Sequence, residues 1–370
     1  MKISKDRNLN IDLIRCVAVF LVISVHFLMN LNYYGEKFEG AGMYVMTVVR
    51  VISITCVPLF MTITGYLMCK KKLNRDYYKS IWRVLMIYLL CSIANICFKK
   101  YYIGYPITFK SAILSILGFT GAQYSWYIDF YIGLFLLIPF INLIWNGLEK
   151  KTHKQIFLIT LICLTILPSL FNIYDWNTES FFLKPWLSSN YQNIFPTWWM
   201  NIFPLTYYFL GAYIKEYDIK IGKAKNLLAI ALLAIIFGSF NFFRNYSVFW
   251  DAGIYMDYYG FESFIMTTLL FMFLVHLDLK RIPNFMKKTI VMISKLSLAT
   301  YLMSYIADNI VYPKLLVYTD SFVGSFKYFL PTVVVVFILS NLLSLCIQLI
   351  VDGIVYIIKK IKLKRESHSI

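Results

Sequence analysis

The stretch Asp12–His26, DLIRCVAVFLVISVH, combines two features that rarely occur together. Its aliphatic residues are typical of a membrane-spanning helix, which needs about 20 apolar residues to cross a bilayer. It also carries an acid, an arginine and a histidine, and a hydrocarbon environment disfavours all three. We therefore expect a membrane helix whose polar groups face other helices or a cavity, and not lipid.

The composition extends this assignment to the whole chain of 370 residues. The chain is 59% hydrophobic and 15% charged, and its mean hydropathy is +0.65. Soluble proteins rarely reach this balance. The sequence predicts an all-α, multi-pass protein of the cell membrane. Because no low-complexity linker interrupts the apolar runs, we expect a single membrane domain over residues 1–370, with no fused extracytoplasmic domain.

Ten apolar runs have the length of a membrane span or come close to it. They predict a bundle of about ten transmembrane helices. The predicted spans are 11–31, 44–68, 81–98, 126–146, 155–174, 197–214, 226–243, 262–277, 295–313 and 329–358.

The charges of the connecting loops predict the orientation. Cytoplasmic loops carry an excess of lysine and arginine. Every second connection is basic, and the intervening ones are mixed or weakly charged, apart from 99–112 with its three lysines. This pattern predicts that both termini are cytoplasmic. The basic segments are 1–10, 69–83, 149–154, 215–225, 278–288 and the tail 359–370, and the outer loops are 32–43, 175–196, 244–261 and 314–328.

The net charge of +17 is thus mainly an orientation signal. Nucleic-acid binding needs a concentrated basic face, whereas these charges are spread over short loops, so we expect no nucleic-acid partner. The seven cysteines form no CxxC pair, and only four histidines are present. This pattern indicates neither a metal site nor a disulfide framework.

Helix geometry places the polar groups of the first span. Asp12 and Arg15 are three residues apart and can pair. Arg15 and His26 are 11 residues apart, which is about 16 Å along the axis and roughly 20° past three full turns, so both face one side. The alternative role of Asp12 is a favourable interaction with the positive end of the helix dipole. The alternative for Arg15 is that its side chain extends to the lipid headgroups. His26 lies too deep for that explanation, and its alternative is a neutral core histidine satisfied by a hydrogen bond.

The same residues resemble a known family. Asp-x-x-Arg followed by ten residues and a histidine, here Asp12, Arg15 and His26, is similar to the opening of the integral-membrane acyltransferase family 3. VPLFMTITGYL at 57–67 resembles the family's PLFFxxSGYL, with Thr64 in place of serine. KSIWRV, which contains Lys79 and Arg83, occupies the place of an arginine-rich stretch that enters the third helix. The usual paired arginines are only partly present.

Two later segments continue the resemblance in the family's order. Trp126 and Tyr127 with GLFLLIP at 133–139 are similar to WY…GLYLLxP. SLATYLMS at 297–304 is similar to SxGxYLxH, with Ser304 where histidine is common. That departure leaves open any role for a second histidine.

The resemblance implies an O-acyltransferase, and the Ile-, Lys- and Asn-rich composition is compatible with a bacterial source. Such an enzyme moves an acyl group, expected to be acetyl, from cytoplasmic acyl-CoA to a hydroxyl of a cell-surface or exopolysaccharide glycan. It implies acetyl-CoA as donor substrate, with no bound cofactor. The expected partners are a glycan or lipid-linked saccharide acceptor, membrane lipid and glycan-assembly proteins.

The chemistry of the residues agrees with this implication. A sugar hydroxyl is a weak nucleophile, so a histidine base such as His26 favours its attack on a thioester. His26 can instead carry the acyl group itself. Arg15, held by Asp12, can grip a CoA phosphate with its planar fork.

Further substrate contacts are predicted at six positions. Lys79 and Arg83 can attract the nucleotide, although basic loops also serve topology. Trp126 and Tyr127 can line an acceptor entrance, although aromatic residues also form interfacial belts. Thr64 and Ser304 are polar groups at helix depth.

Two other functions stay open on the residues alone. A transporter or exporter of a glycan precursor would favour internal repeats and broken helices, and no repeat relates the two halves of the sequence. An assembly protein would not need an acid, an arginine and a histidine on the first helix.

Overall fold

The fold is described by a computed structural model that covers residues 7–172, 174–177, 192–250, 258–319 and 321–367. Parts of the predicted outer loops, 178–191 and 251–257, and the first six residues lie outside these ranges. Within the described ranges the regular secondary structure is helical, and one isolated bridge joins Phe38 to Tyr246. The predicted all-α class is confirmed for this part of the chain.

Fifteen α-helices follow one another along the described chain. The first eight are α1 Leu9–Asn30, α2 Gly40–Ser53, α3 Cys56–Met68, α4 Arg75–Lys79, α5 Trp82–Phe98, α6 Phe109–Leu117, α7 Trp126–Gly147 and α8 Lys151–Thr165. The other seven are α9 Pro168–Phe171, α10 Phe203–Tyr217, α11 Lys223–Arg244, α12 Phe261–Val275, α13 Asn284–Val317, α14 Phe322–Ser325 and α15 Phe329–Ser367.

Seven helical segments of the described chain are long and apolar enough to cross a membrane. They are Leu9–Asn30, Gly40–Met68, Arg75–Ile103, Trp126–Gly147, Lys223–Arg244, Asn284–Val317 and Phe322–Ile358. The remaining three predicted spans contain α8, α10 and α12, each with 15 helical residues. A helix of that length measures about 22 Å, less than the hydrocarbon thickness of about 30 Å. The membrane character is shown, and the count of ten stays a prediction.

Proline divides one predicted span into two helices. The sequence predicts a single span over 44–68, but α2 ends at Ser53 and α3 begins at Cys56. Pro58 occupies the third position of α3, where a helix leaves backbone N–H groups unpaired. In a continuous helix its ring would clash with the carbonyl of Ile54. The break lets the chain continue in the same span without that clash.

Residue contacts divide the chain into two compact units. The first consists of Met1–Lys71, Ile138–Ser294 and Tyr312–Val333, and the second of Lys72–Leu137, Lys295–Val311 and Val334–Ile370. In the first unit, α1 packs against α2, α3 and α12. Most residues of α1 are buried, including every residue from Leu21 to Leu28. A helix that is apolar and buried all round is a core element, so α1 is the central helix of this unit.

Two glycines allow α3 and α10 to approach closely within the first unit. A Cβ atom added to Gly65 would lie 1.8 Å from the carbonyl oxygen of Tyr208. A Cβ atom added to Gly211 would lie 2.0 Å from the carbonyl oxygen of Thr62. Each glycine therefore faces the main chain of the other helix. We call Gly65 and Gly211 the reciprocal glycine pair.

Polar side chains close the end of α3. Asn142 Nδ2 donates to the carbonyl oxygens of Met68 and Lys71, at 2.8 Å each. Its Oδ1 accepts from the hydroxyl of Tyr208 at 2.7 Å. The last carbonyls of a helix lack hydrogen-bond donors within the helix, and the Asn142 amide provides donors at this end.

The second unit has its own aromatic and polar contacts. Tyr77 stacks on Phe135 at a centroid distance of 4.4 Å, and its hydroxyl donates to the Phe135 carbonyl at 2.6 Å. Asn95 Nδ2 donates to the carbonyl of Leu302 at 3.2 Å and so joins α5 to α13. These contacts fix the helices on which several predicted substrate residues lie.

Candidate active site

The beginning of α1 is anchored by polar side chains. Asn8 caps the helix, and its side chain accepts from the backbone N–H groups of Asn10 and Ile11. Asn10 Nδ2 donates to the carbonyls of Leu274 and Leu277, at 2.9 Å each, at the end of α12. These bonds fix the height and rotation of α1 at the end that carries Asp12 and Arg15.

Asp12 collects three partners at this end of α1. Its carboxylate, 3% exposed, accepts from Arg7 Nε at 2.5 Å and from Arg7 Nη2 at 2.8 Å. Ser294 Oγ donates to it at 2.6 Å. Arg15 Nη1 lies 3.7 Å from Oδ1. The predicted contact between Asp12 and Arg15 is confirmed, but it is the longest of the set.

Arg7 is a residue that the sequence reasoning missed. It precedes the helix, so the spacing rule that pairs Asp12 with Arg15 does not reach it. The signal in the sequence was an arginine five residues before an acid in the first turn of a predicted helix. The segment that precedes the helix can fold back and bring the two side chains together.

His26 lies deep in the first unit. It is 5% exposed and is surrounded by buried positions of the same helix. Asn30 Nδ2 donates to its backbone carbonyl at 2.8 Å. The separation from Arg15 is about 16 Å along the helix axis. His26 is therefore buried within the protein and is not exposed to lipid.

Thr64 lies in the same unit, next to Gly65 in α3. It is buried, and its hydroxyl donates to the carbonyl of Phe60 at 2.8 Å. This bond uses the proton of the hydroxyl and leaves its lone pairs for another donor. Thr64 is therefore a possible acceptor of one hydrogen bond and not a nucleophile in this arrangement.

Three predicted residues of the second unit lie near Tyr301. The rings of Trp126 and Tyr127 are 6.0 Å apart, and Tyr127 meets Tyr301 edge-on at 6.4 Å. Ser304, which is fully buried, donates to the Tyr301 carbonyl at 2.8 Å. Asp308 lies one turn further along and accepts from the Tyr124 hydroxyl at 2.9 Å. The structure thus groups Trp126, Tyr127 and Ser304.

Lys79 and Arg83 lie apart from that group. Lys79 pairs with Asp76 at 3.1 Å, and Arg83 pairs with Asp352 at 3.2 Å, both at exposed positions. Arg83 is near the start of α5, whereas Asn95, about 18 Å further along that helix, contacts α13 close to Ser304. Exposed ion pairs contribute only about 0–1 kcal/mol, so either cation can exchange its partner for another anion.

A buried charged cluster in the first unit was also missed. Asn241 Nδ2 donates to both oxygens of Glu262, at 3.0 and 2.9 Å. Arg50 and Arg244 interact electrostatically with this carboxylate. All four side chains are buried. The sequence signal was a charged residue inside two apolar runs, Arg50 in 44–68 and Glu262 in 262–277.

Aromatic rings enclose Arg50 in this cluster. Its Nε donates to the hydroxyl of Tyr34 at 3.0 Å, and its guanidinium lies 4.4 Å from the ring centroid of Trp250. Buried charges persist in membrane proteins when they are paired in this way. The cluster joins α2, α11 and α12 and braces the helices around α1.

Comparison with known proteins gives one finding. The sequence profile of a family described as "Acyltransferase domain" matches residues 8–341. This range contains α1 with Asp12, Arg15 and His26, and it extends into α15. No curated protein and no solved structure matches the chain.

Proposed function

Because the chain belongs to acyltransferase family 3 and is a membrane acyltransferase, we propose that it acetylates a hydroxyl of a cell-surface or exopolysaccharide glycan, with acetyl-CoA as donor. The single observation that carries this proposal is the layout of α1. One end holds Arg15 at a partly exposed position beside the buried Asp12, and His26 is buried about 16 Å deeper on the same helix. An extended pantetheine arm is long enough to cross that distance.

The proposed reaction assigns a separate task to each end of α1. Arg15 binds a CoA phosphate through its planar fork. His26 removes the proton from the acceptor hydroxyl while the oxygen attacks the thioester carbonyl. The C–S bond breaks, the C–O bond forms, and the proton passes to the departing thiolate. In the second route the acetyl group resides on His26 before it reaches the sugar.

Other predicted residues have supporting tasks in this proposal. Trp126 and Tyr127 offer ring faces to a sugar, and Ser304 and Thr64 offer hydroxyl oxygens. Lys79 and Arg83 attract the nucleotide by charge. We propose the bacterial cell membrane as the location, with glycan-assembly proteins as partners that present the acceptor.

The test uses the purified full chain in lipid nanodiscs with acetyl-CoA and a surface glycan. We expect thiol release that depends on the glycan, together with a mass increase of one acetyl group on the glycan. Glycan movement without thiol release would contradict the proposal and favour a transporter.

We further propose that both termini are cytoplasmic. In a cysteine-free background, Lys37→Cys in the outer loop is expected to react with a membrane-impermeant maleimide in intact cells, because this side chain is exposed. Lys72→Cys, exposed in the basic loop after α3, is the matched control and is expected to react only after permeabilisation. The reverse pattern would contradict this orientation.

Arg15→Lys separates phosphate binding from folding. Lysine keeps the charge and can still reach Asp12, but it loses the fork that binds two phosphate oxygens. We expect the apparent KM for acetyl-CoA to rise about tenfold, with the amount of folded protein unchanged. An unchanged KM would indicate that Arg15 contacts lipid headgroups and does not bind the CoA phosphate.

A further inference from the structure

The beginning of α1 holds two guanidinium groups around a single carboxylate. Arg7 makes two hydrogen bonds to Asp12, at 2.5 and 2.8 Å, and Arg15 lies 3.7 Å from the same carboxylate. Asp12 is 3% exposed, whereas the side chains of Arg7 and Arg15 are 26% and 32% exposed. The acid is therefore buried beneath two cations that reach the surface.

The local charge is positive. Arg7 and Arg15 supply two positive charges, Asp12 supplies one negative charge, and the start of α1 adds the partial positive charge of a helix N-terminus. Hydrogen bonding to Asp12 raises the pKa of Arg7 above its ordinary value, so Arg7 stays charged at every physiological pH. A guanidinium has five N–H donors, and Arg7 uses two of them on Asp12.

Anchoring of the helix does not explain Arg7. Asn10 already ties the start of α1 to the end of α12. Ser294 and the Cys16 contact with the Ile290 carbonyl, at 3.3 Å, already tie it to α13. A second guanidinium beside Arg15 adds little to these bonds, but it brings two partly exposed guanidinium groups to one carboxylate.

We propose that Arg7 and Arg15 form a phosphate-binding pair, that Asp12 is the positioning residue that holds both, and that the phosphate belongs to the acyl-CoA donor. This inference rests on the proposed function. Guanidinium groups bind phosphate through two parallel hydrogen bonds, and two of them can share its charge. A phosphate held here directs the pantetheine arm along α1 toward His26.

A membrane surface offers a second source of phosphate, the headgroup of an anionic lipid. The donor is favoured because Arg15 and His26 lie on the same helix, and binding of a lipid headgroup would not involve that histidine. The experiment therefore measures CoA and lipid separately.

The first measurement is the Kd for CoA of the full chain in phosphatidylcholine nanodiscs, by equilibrium dialysis. Loss of a charge-assisted hydrogen bond predicts that Arg7→Ala weakens CoA binding about 10- to 100-fold. Arg7→Lys keeps the charge, is expected to fold like the wild type, and should weaken binding by a smaller factor. Lys150→Ala removes an exposed charge elsewhere in the first unit and should leave the Kd unchanged.

Asp12→Asn distinguishes positioning from simple attraction. The substitution raises the local positive charge by one unit, so attraction alone predicts tighter CoA binding. If Asp12 positions the arginines, binding weakens severalfold despite the added charge, because an amide replaces one of the two oxygens that accept from Arg7 with an NH2 donor. Tighter binding by Asp12→Asn would overturn the positioning role.

The lipid arm repeats the measurements with phosphatidylglycerol nanodiscs. If the Arg7 variants lose bound phosphatidylglycerol and keep the wild-type Kd for CoA, the phosphate is that of the lipid and the inference is overturned. If the wild type binds CoA and the Arg7 variants bind it with the same Kd, the inference fails and the proposed function stands. A wild-type protein that neither binds CoA nor releases thiol would remove the proposed function itself.

Discussion

The His26→Ala variant is expected to reach the membrane in wild-type amounts and to lose at least 99% of its glycan acetylation, since removal of a general base typically costs about 10²–10⁴-fold in rate. His26 is buried in the core of the first unit, and the apolar side chain of alanine is compatible with that environment. The measurement is glycan acetylation at matched protein abundance, with folding checked by size-exclusion chromatography. Normal acetylation by this variant would end the catalytic assignment.

Two further variants separate chemistry from packing. His26→Asn keeps a polar side chain of similar reach but has no basic nitrogen, so we expect it to be as inactive as alanine. A histidine that served only as a hydrogen-bonding core residue would instead be partly replaced by asparagine. Ser24→Ala removes another buried polar group of α1 and is expected to leave the rate unchanged.

The same protein also separates the two chemical routes. Incubation with acetyl-CoA alone, followed by rapid denaturation and mass spectrometry, is expected to reveal acetyl on His26 if the group is transferred through the histidine. Direct transfer predicts no labelled histidine and the same loss of activity in His26→Ala.

Gly65→Ala is expected to have the largest effect on stability. The added methyl group would lie 1.8 Å from the Tyr208 carbonyl oxygen, so α3 and α10 must separate or bend. Overpacking in a core usually costs about 1–3 kcal/mol, and a clash with backbone falls at the upper end because no side chain can turn away. We expect a clear fall in the unfolding temperature in detergent and a loss of folded protein during purification.

Gly211→Ala and Gly133→Ala complete that experiment. Gly211→Ala meets the Thr62 carbonyl at 2.0 Å and is expected to behave like Gly65→Ala. Gly133 is the matched control, because its added Cβ would have no atom within 4 Å. It is expected to be neutral or slightly stabilising, since alanine is favoured over glycine in a helix by about 1 kcal/mol. Equal melting of all three variants would contradict the close packing of α3 and α10.

The apolar runs predicted the helix boundaries well where a helix begins and ends close to the limits of the apolar run. The predicted spans 11–31, 126–146 and 226–243 agree with α1, α7 and α11 within a few residues. The agreement fails at α13, which begins 11 residues before the predicted span 295–313. The added turns carry lysines, so hydropathy excludes them although nothing in them stops a helix.

Contacts between distant residues were beyond reach of the sequence pattern. Spacing within one helix predicted the contact of Asp12 with Arg15, because helix geometry fixes which residues are neighbours. The bond from Ser294 to Asp12 and the cluster around Glu262 depend on how helices pack, and several packings satisfy the same apolar pattern. The need for glycine at Gly65 became visible only when α10 was in place.

The cluster of Arg50, Asn241, Arg244 and Glu262 has a consequence for synthesis of the protein. Roughly 200 residues separate Arg50 from Glu262 in the chain, and at about 5–20 residues per second the ribosome needs on the order of 10–40 s to make them. An arginine at the centre of a membrane helix costs about 2.5–3.5 kcal/mol on insertion scales. During that interval Tyr34 has already been synthesised, so its hydroxyl can accept the hydrogen bond from Arg50. We expect the second span to stay close to the insertion machinery until Glu262 arrives, so truncation before Glu262 would leave an early fragment open to membrane proteases.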